Sequence, residues 1–236
     1  MNSNSNNSST VALPAAETMR AALRQKITEG RLSPGSRLFD KVLAEEFGVS
    51  RNTARDALRL LTTDGLVVSI PNSGSSVRIL TPADIRDIYS ARRLIETGAI
   101  AQSSTASDEL LQKIEVAATQ SEQYVEAGDW NKVGTSSLSF HRSIVQLTRS
   151  QLVDEFFTTL AAQLRLAFAL MPDESVFQVS WVGRDRNIAN LILSGRREEA
   201  TSQLIDYLNE SEAQIIDGVR NTMHSRSVMD GAEKAS

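Results

Sequence analysis

Five polar side chains stand out in the stretch SRNTARDALRLLTTDGLV, Ser50 to Val67: Arg51, Asn52, Thr53, Arg55 and Arg59. Arginine carries a planar fork of N–H donors that fits guanine edges and phosphate, and asparagine and threonine are short enough to touch base edges or backbone. Ala54, Ala57, Leu58 and Leu61 recur at i, i+3, i+4 and i+7, a single apolar helical stripe on the other side. Solubility does not require three arginines there, since lysine or glutamate would serve equally. One face packs and the other offers forked cations, which is the chemistry of holding a polyanion. Ser50 is a candidate N-cap, and Asp64-Gly65 a candidate stop.

Turnover chemistry is poorly supplied by comparison. The 236 residues include no cysteine, which removes a disulfide framework, a thiolate zinc site and a cysteine nucleophile together. His141 and His224 are the two histidines, and GxSxG, P-loop and HExxH patterns are absent. The rival reading is a metal-dependent or hydrolytic enzyme built on a helical bundle, but a lone histidine without a paired nucleophile or metal cage supports no mechanism. A pure protein-interaction module, the third reading, leaves the arginines decorative. Net charge is −4 and unevenly spread: residues 1–80 hold 10 Lys+Arg against 7 Asp+Glu, and residues 81–236 hold 15 against 22. A basic front and an acidic back put any polyanion contact in the first 80 residues.

The elements that must position these groups follow from the apolar pattern. The opening MNSNSNNSST is polar with no apolar core, so residues 1–13 are expected to be a disordered tail and not a signal peptide. Met19, Leu23 and Ile27, four residues apart, predict a helix ending near Gly30, followed by a Pro34-Gly35 turn into a short extended piece. DKVLAEEFG predicts a second helix, capped by Asp40, that buries Leu43, Ala44 and Phe47 and ends at Gly48, directly before the arginine-bearing helix. Two helices joined by a short glycine-bearing turn are a helix-turn-helix. LVVSIPNSGSSVRIL then reads as a hairpin, Leu66–Ile70 and Ser76–Leu80, with a polar tip from Asn72 to Ser75. Thr81-Pro82-Ala83-Asp84 marks a boundary and a new helix start. Beyond it the spacing predicts helices over 82–103, 107–127, 129–148, 150–171, 173–194 and 197–221, an all-α bundle of about 140 residues. The fold class is mainly α, with domains at 14–80 and 81–223 and a loose tail over 224–236. No run of about 18 apolar residues occurs, so no membrane span is expected, and a cytoplasmic location fits.

In a helix-turn-helix the second helix enters the major groove. Arg51 and Arg55 then fork onto guanine or phosphate, Asn52 and Thr53 reach base edges or backbone, Lys41 meets a phosphate, and the tip at Asn72 and Gly74 reaches the backbone or the adjacent minor groove. DKVLAEEFGVSRNTARDALRLLTTDGLV resembles the winged helix of the GntR family of bacterial transcription regulators, with its pattern LAEXXGVSRXPVREALXXLEXXGLV. Leu43, Ala44, Gly48, Val49, Ser50, Arg51, Arg55, Ala57, Leu58, Leu61, Gly65, Leu66 and Val67 match, while Thr53 stands at the proline position and Asp56 at the glutamate position. The resemblance implies DNA contacts by Lys41, Arg51, Thr53 and Arg55, with Gly74 as the wing glycine, and a homodimer on double-stranded DNA.

The rest resembles the FCD domain, the effector-binding bundle of the FadR subfamily within GntR. DIYSARRLIETGAIAQS carries Arg92 and Glu96 at its R-x-x-x-E positions, LSFHRSIVQLTRSQL carries Phe140, His141 and Leu152, and Ile188, Gly195, Ala200 and Leu208 align in the last segment. Many FCD domains hold a divalent metal through an Asp, a His one turn later and two further His. Those positions here are Ser137, His141, Asp185 and Tyr207, so only His141 keeps its ligand, and His141 with Asp185 makes a set too thin for a metal. The expectation is therefore no metal and no cofactor. The altered pocket of Ser137, His141, Asp185, Tyr207 and Arg92 suits a small organic anion as effector. Two readings of Arg92 stay open: an exposed ion pair with Glu96, worth little, or an interior cation facing an anion. His141 is likewise either a hydrogen-bonded core residue or a ligand contact.

Overall fold

The computed structural model describes residues 14–70, 74–171 and 174–233, without the side chains of residues 70, 131, 174, 176 and 223–233. The expected tail over 1–13, the tip residue Asn72 and the chain end at 234–236 lie outside the described residues. Helix α1 (Ala15–Thr28) turns Met19, Leu23 and Ile27 inward. A two-residue strand β1 (Arg37–Leu38) leads into α2 (Asp40–Phe47), and Gly48 in the left-handed conformation (φ 64°) ends it. Only Val49 and the cap separate that glycine from α3 (Arg51–Thr63), where the Ser50 side chain accepts from the Thr53 amide at 3.0 Å. The stripe Ala54, Ala57, Leu58 and Leu61 is buried, and α3 packs on both α1 and α2. Alanine at two of these four positions lets the helix backbones approach closely.

The hairpin differs from the expected one in register and in strand number. Strands β2 (Val67–Ile70) and β3 (Gly74–Val77) pair antiparallel, and β3 also pairs with β1, so the sheet order is β1-β3-β2. The expected second strand, Ser76–Leu80, thus starts two residues early and ends before Ile79 and Leu80. Pairing of Arg37 with Ser76 and of Leu38 with Ser75 fixes that register, a long-range constraint that local β-propensity does not contain. Leu80 leaves the sheet and is fully buried. Asp40 also departs from expectation. Phe39 occupies the N-cap position of α2 without a side-chain cap, and Asp40 is the first helical residue, its carboxylate turned toward α3.

Thr81 and Asp84 form a reciprocal capping box with Pro82 at the first helical position of α4 (Pro82–Gln102). Helices α5 (Asp108–Glu126), α6 (Trp130–Val145), α7 (Gln151–Phe168), α8 (Glu174–Leu193) and α9 (Arg197–Glu233) complete the bundle, with α5 against α6 and α8, α4 against α9, and α6 against α8. Helix α9 runs beyond the expected end at 221 and through most of the stretch expected to be loose from 224. The extension holds no proline, the residue that most strongly ends a helix. Among the described residues no helix is long and apolar enough to cross a membrane.

Helix α7 joins bundle to head through polar contacts on the carboxyl ends of two head helices. Arg165 Nε donates to the Thr28 carbonyl at the end of α1, 3.0 Å, and Gln163 Nε2 donates to the Asp64 carbonyl at the end of α3, 2.6 Å. Both carbonyls belong to the last turns that a helix leaves unpaired. The Asp64 carboxylate is held in turn by Arg20 of α1, at 2.7 and 2.5 Å. Gly65 sits at this joint with φ +69°, and a Cβ on it would lie 2.6 Å from Gln163 Nε2. Gly65→Ala is expected to destabilise the protein by about 1–3 kcal/mol through left-handed strain plus displacement of Gln163. Urea unfolding of both proteins measures it, and an unchanged midpoint would contradict the joint as described.

Candidate nucleic-acid interface and buried polar cluster

Two sets of polar side chains are gathered by this fold, one outside and one inside. On the outside, α3 turns Arg51, Asn52, Arg55 and Arg59 to solvent while its apolar stripe stays buried. The arginine side chains are 62%, 55% and 78% exposed, so they remain available to a macromolecular partner. Thr53 is half-buried, its hydroxyl 2.8 Å from the Ser50 hydroxyl. Lys41 on α2 is exposed and lines one shallow surface with Gly48 and Arg51. The groove between α3 and the β2–β3 wing is lined by Phe39, Asp40, Arg55, Arg59, Ser69 and Gly74. Lys41, Arg51, Asn52, Thr53, Arg55 and Gly74 thus share the surface made by α2, α3 and the wing. Asn72 falls on the tip that is not described.

Inside the bundle, α4, α6, α8 and α9 bring Arg92, Ser137, His141, Asp185 and Tyr207 together, all buried. Arg92 Nε donates to Glu96 Oε1 at 2.7 Å, and His141 Nδ1 lies 2.6 Å from Glu96 Oε2. With Nδ1 donating to that carboxylate, Nε2 faces Asp185 Oδ1 at 3.6 Å, too far for a hydrogen bond. Ser137 donates to Asp185 Oδ2 at 2.7 Å and stands 3.4 Å from the Tyr207 hydroxyl. The exposed reading of the Arg92–Glu96 pair is therefore excluded: the two side chains are 2% and 0% exposed. For a pair this buried, removal of one partner costs several kcal/mol because the other charge is left alone.

Burial and charge pull these groups in different directions. Burial opposes the Arg92 charge, but the Glu96 carboxylate beside it prevails, so the guanidinium stays cationic. Burial pushes the Glu96 carboxyl up, and Arg92 and His141 outweigh it and hold it below the usual carboxylate range. Asp185 has no such arginine in contact, and burial raises it to about 6. Burial, with Asp185 beside it, drives the Tyr207 phenol well above its ordinary value, so it stays neutral.

Among the described residues, five buried polar atoms in the bundle hydrogen-bond to no described protein group: Arg92 Nη2, His141 Nε2, Gln178 Nε2, Trp181 Nε1 and Asp185 Oδ1. Unmet polar groups are costly in a protein interior and call for a partner. Three of the five are obligate N–H donors, from Arg92, Gln178 and Trp181. Gln178 and Trp181 are absent from the residues expected on sequence. Their signal lies in spacing, since Gln178, Trp181 and Asp185 stand at i, i+3 and i+7 on α8 and share its inward face. A transition metal fits poorly here. The Ser137 hydroxyl is engaged with Asp185, the phenol stays protonated, and His141 Nδ1 is tied to Glu96. That leaves His141 Nε2 and Asp185 Oδ1, two donors where about four are needed.

The raised Asp185 has a measurable consequence. Its folded-state value lies above the ordinary 3.8, so its contribution to stability is complete below that value and is lost as pH rises through about 6. Asp185→Asn keeps an acceptor for Ser137 without the charge. The variant is expected to be more stable than the parent by about 1–3 kcal/mol at pH 8, with the gap closing by about pH 4. Urea unfolding at pH 4, 6 and 8 reads it, and a variant less stable than the parent at pH 8 would contradict the assignment.

Comparison with known proteins bears on both sets. Residues 15–77 match the model of the bacterial regulatory proteins of the gntR family, and residues 87–210 match the FCD domain. The chain is 40% identical over 78 residues to the uncharacterised HTH-type transcriptional regulator YdhC of Bacillus subtilis, 33% of this chain and 35% of that protein. It is 23% identical over 193 residues to the Nta operon transcriptional regulator of Aminobacter aminovorans, 80% of this chain and 89% of that one. The match thus spans about a third of the first relative and most of the second. A solved GntR transcriptional regulator from Rhodococcus sp. RHA1 superposes with a TM-score of 0.80 at 30% identity, over 86% of this chain and 97% of its own. The chain belongs to the GntR family of transcriptional regulators, with a gntR-type helix-turn-helix at its N-terminal end and an FCD domain after it.

Proposed function

We propose that this regulator reads a pseudo-palindromic operator as a homodimer and that a small organic anion, bound in the FCD bundle, modulates it. The observation that carries the DNA half is the amphipathic division of α3, with Ala54, Ala57, Leu58 and Leu61 buried and Arg51, Asn52 and Arg55 exposed beside Lys41 and the wing. Arg51 and Arg55 supply base-edge forks, Asn52 and Thr53 short polar contacts, Lys41 a phosphate contact, and Asn72 with Gly74 the wing contact. One winged helix makes few base contacts, and two related by a two-fold axis read a longer site. Exposed apolar side chains on the bundle support the dimer: Leu94 on α4, and Leu152 and Phe156 one turn apart on α7, are 77%, 78% and 51% exposed. The FCD domain after the gntR-type head fits the FadR subfamily.

The effector half rests on the buried donors. Arg92, Gln178 and Trp181 offer unmet N–H groups beside His141, Ser137 and Tyr207, and an oxygen-rich anion would satisfy them. An effector that prefers one arrangement of the two heads shifts the population able to bind DNA. The joint from α7 to the ends of α1 and α3 provides a mechanical path.

The test compares an operator, recovered from genomic fragments retained by the protein, with random duplex. Arg51→Ala and Arg55→Ala are each expected to weaken operator binding by about 1–3 kcal/mol. Lys41→Ala is expected to weaken all duplexes alike and to flatten the salt dependence. Titrations at several salt concentrations measure both, and equal losses on operator and random DNA for all three variants would remove direct readout.

A further inference from the structure

A carboxylate stands in the middle of the surface offered to DNA. Asp40 lies between Arg55, Ser69 and Gly74 in the groove that separates α3 from the wing. A negative charge there repels phosphate and so opposes binding in proportion to its nearness, within a screening length of about 8 Å. It also does not cap α2, since its side chain accepts no bond from that helix's amides. Its two oxygens are directed at the arginines of α3 instead. Arg51 Nη2 donates to Oδ1 at 2.9 Å and to Oδ2 at 3.2 Å, and Arg55 Nε stands 3.6 Å from Oδ2. Arg55 is held from its other end, where Nη2 donates to the Asn52 side-chain oxygen. Asp40 itself is three-quarters covered, whereas both arginines are more than half exposed. The acid is therefore the fixed member and the arginines are the members it fixes.

We propose that Asp40 is a positioning residue for operator recognition: it holds Arg51 and Arg55 in one arrangement so that they meet base edges already oriented. A free arginine surrenders much rotamer freedom when it forks onto a base, and one already held surrenders less. Arg51 meets Asp40 through Nη2 alone, and its other nitrogens remain for a base or phosphate. Phosphate contacts need no fixed orientation, because a point charge is satisfied from many angles. Asp40 thus lowers affinity for DNA in general and raises it for the right sequence, which is discrimination supplied by the protein before contact. This inference rests on the proposal that Arg51 and Arg55 read bases. The plain alternative is a carboxylate in the first turn of α2 that only favours that helix's positive end.

The experiment measures affinity for the recovered operator and for a scrambled duplex of equal length, in the parent, Asp40→Ala, Asp40→Glu, the double variant Arg51→Ala with Arg55→Ala, and Asp40→Ala combined with that double variant. The expected result is a fall of about tenfold in the operator-to-scrambled ratio for Asp40→Ala, with scrambled binding unchanged or tighter. Asp40→Glu should recover part of the ratio, and the combined variant should match the double arginine variant within about twofold. A role confined to helix α2 would lower the melting temperature and leave the ratio alone. A ratio unchanged in Asp40→Ala, whether both affinities rise, fall or stay, overturns the positioning role. A parent protein with no preference for the operator overturns the DNA-reading proposal itself, and this one with it.

Discussion

Everything that this protein presents to DNA depends on one packed contact, the burial of Ala54, Ala57, Leu58 and Leu61 of α3 against α1 and α2. That contact decides which way the arginines point. Two alanines bring the backbones close, and two leucines fill the space around Met19, Leu23 and Leu43 in the same core. A helix turned by a third of a revolution would bury Arg51 or Arg55 and expose leucine, at a cost that no surface interaction offsets. The Ser50 cap at one end and the Asp64–Gly65 stop at the other then fix where α3 begins and ends. With the helix held in length, rotation and tilt, the arginines become parts of a shape and not just positive charge.

The bundle answers a different problem, how to keep charges indoors. Arg92 and Glu96 neutralise one another on α4, and His141 leans on the same carboxylate from α6. Asp185, from α8, is held more tightly to its proton by burial, which its serine, phenol and more distant histidine neighbours offset only in part. Around His141 stand the Ser137 hydroxyl, the Asp185 carboxylate and the neutral Tyr207 phenol, with buried N–H donors on Arg92, Gln178 and Trp181. Helix α7 packs against α4 and α6 of the bundle and against α1 of the head, so it is in contact with both units.

The parts legible in the sequence were those set by local chemistry. The helix-turn-helix follows from Gly48, Ser50 and a strict apolar stripe, and the bundle's start follows from Thr81, Pro82 and Asp84. Helix spans in the bundle follow from apolar spacing and breaks such as Gly128 and Gly195. What escaped depended on distant partners. The wing's register is set by β1, whose Arg37 and Leu38 pair with Ser76 and Ser75 far along the chain, and Arg92's orientation by what α6, α8 and α9 place opposite it. Asp40 reads as a cap because Asp before a helix often is one, and only the proximity of α3 turns it to Arg51. Gln178 and Trp181 show in the sequence only through their spacing from Asp185 along one face of α8.

The most direct test of the account is a hydroxyl-radical footprint of the protein on genomic fragments that it retains. Two protected half-sites related by a two-fold axis and centred about 10 base pairs apart, or a multiple of that, are the predicted result. Protection spread evenly along every fragment, without a preferred sequence or a paired half-site, would contradict it.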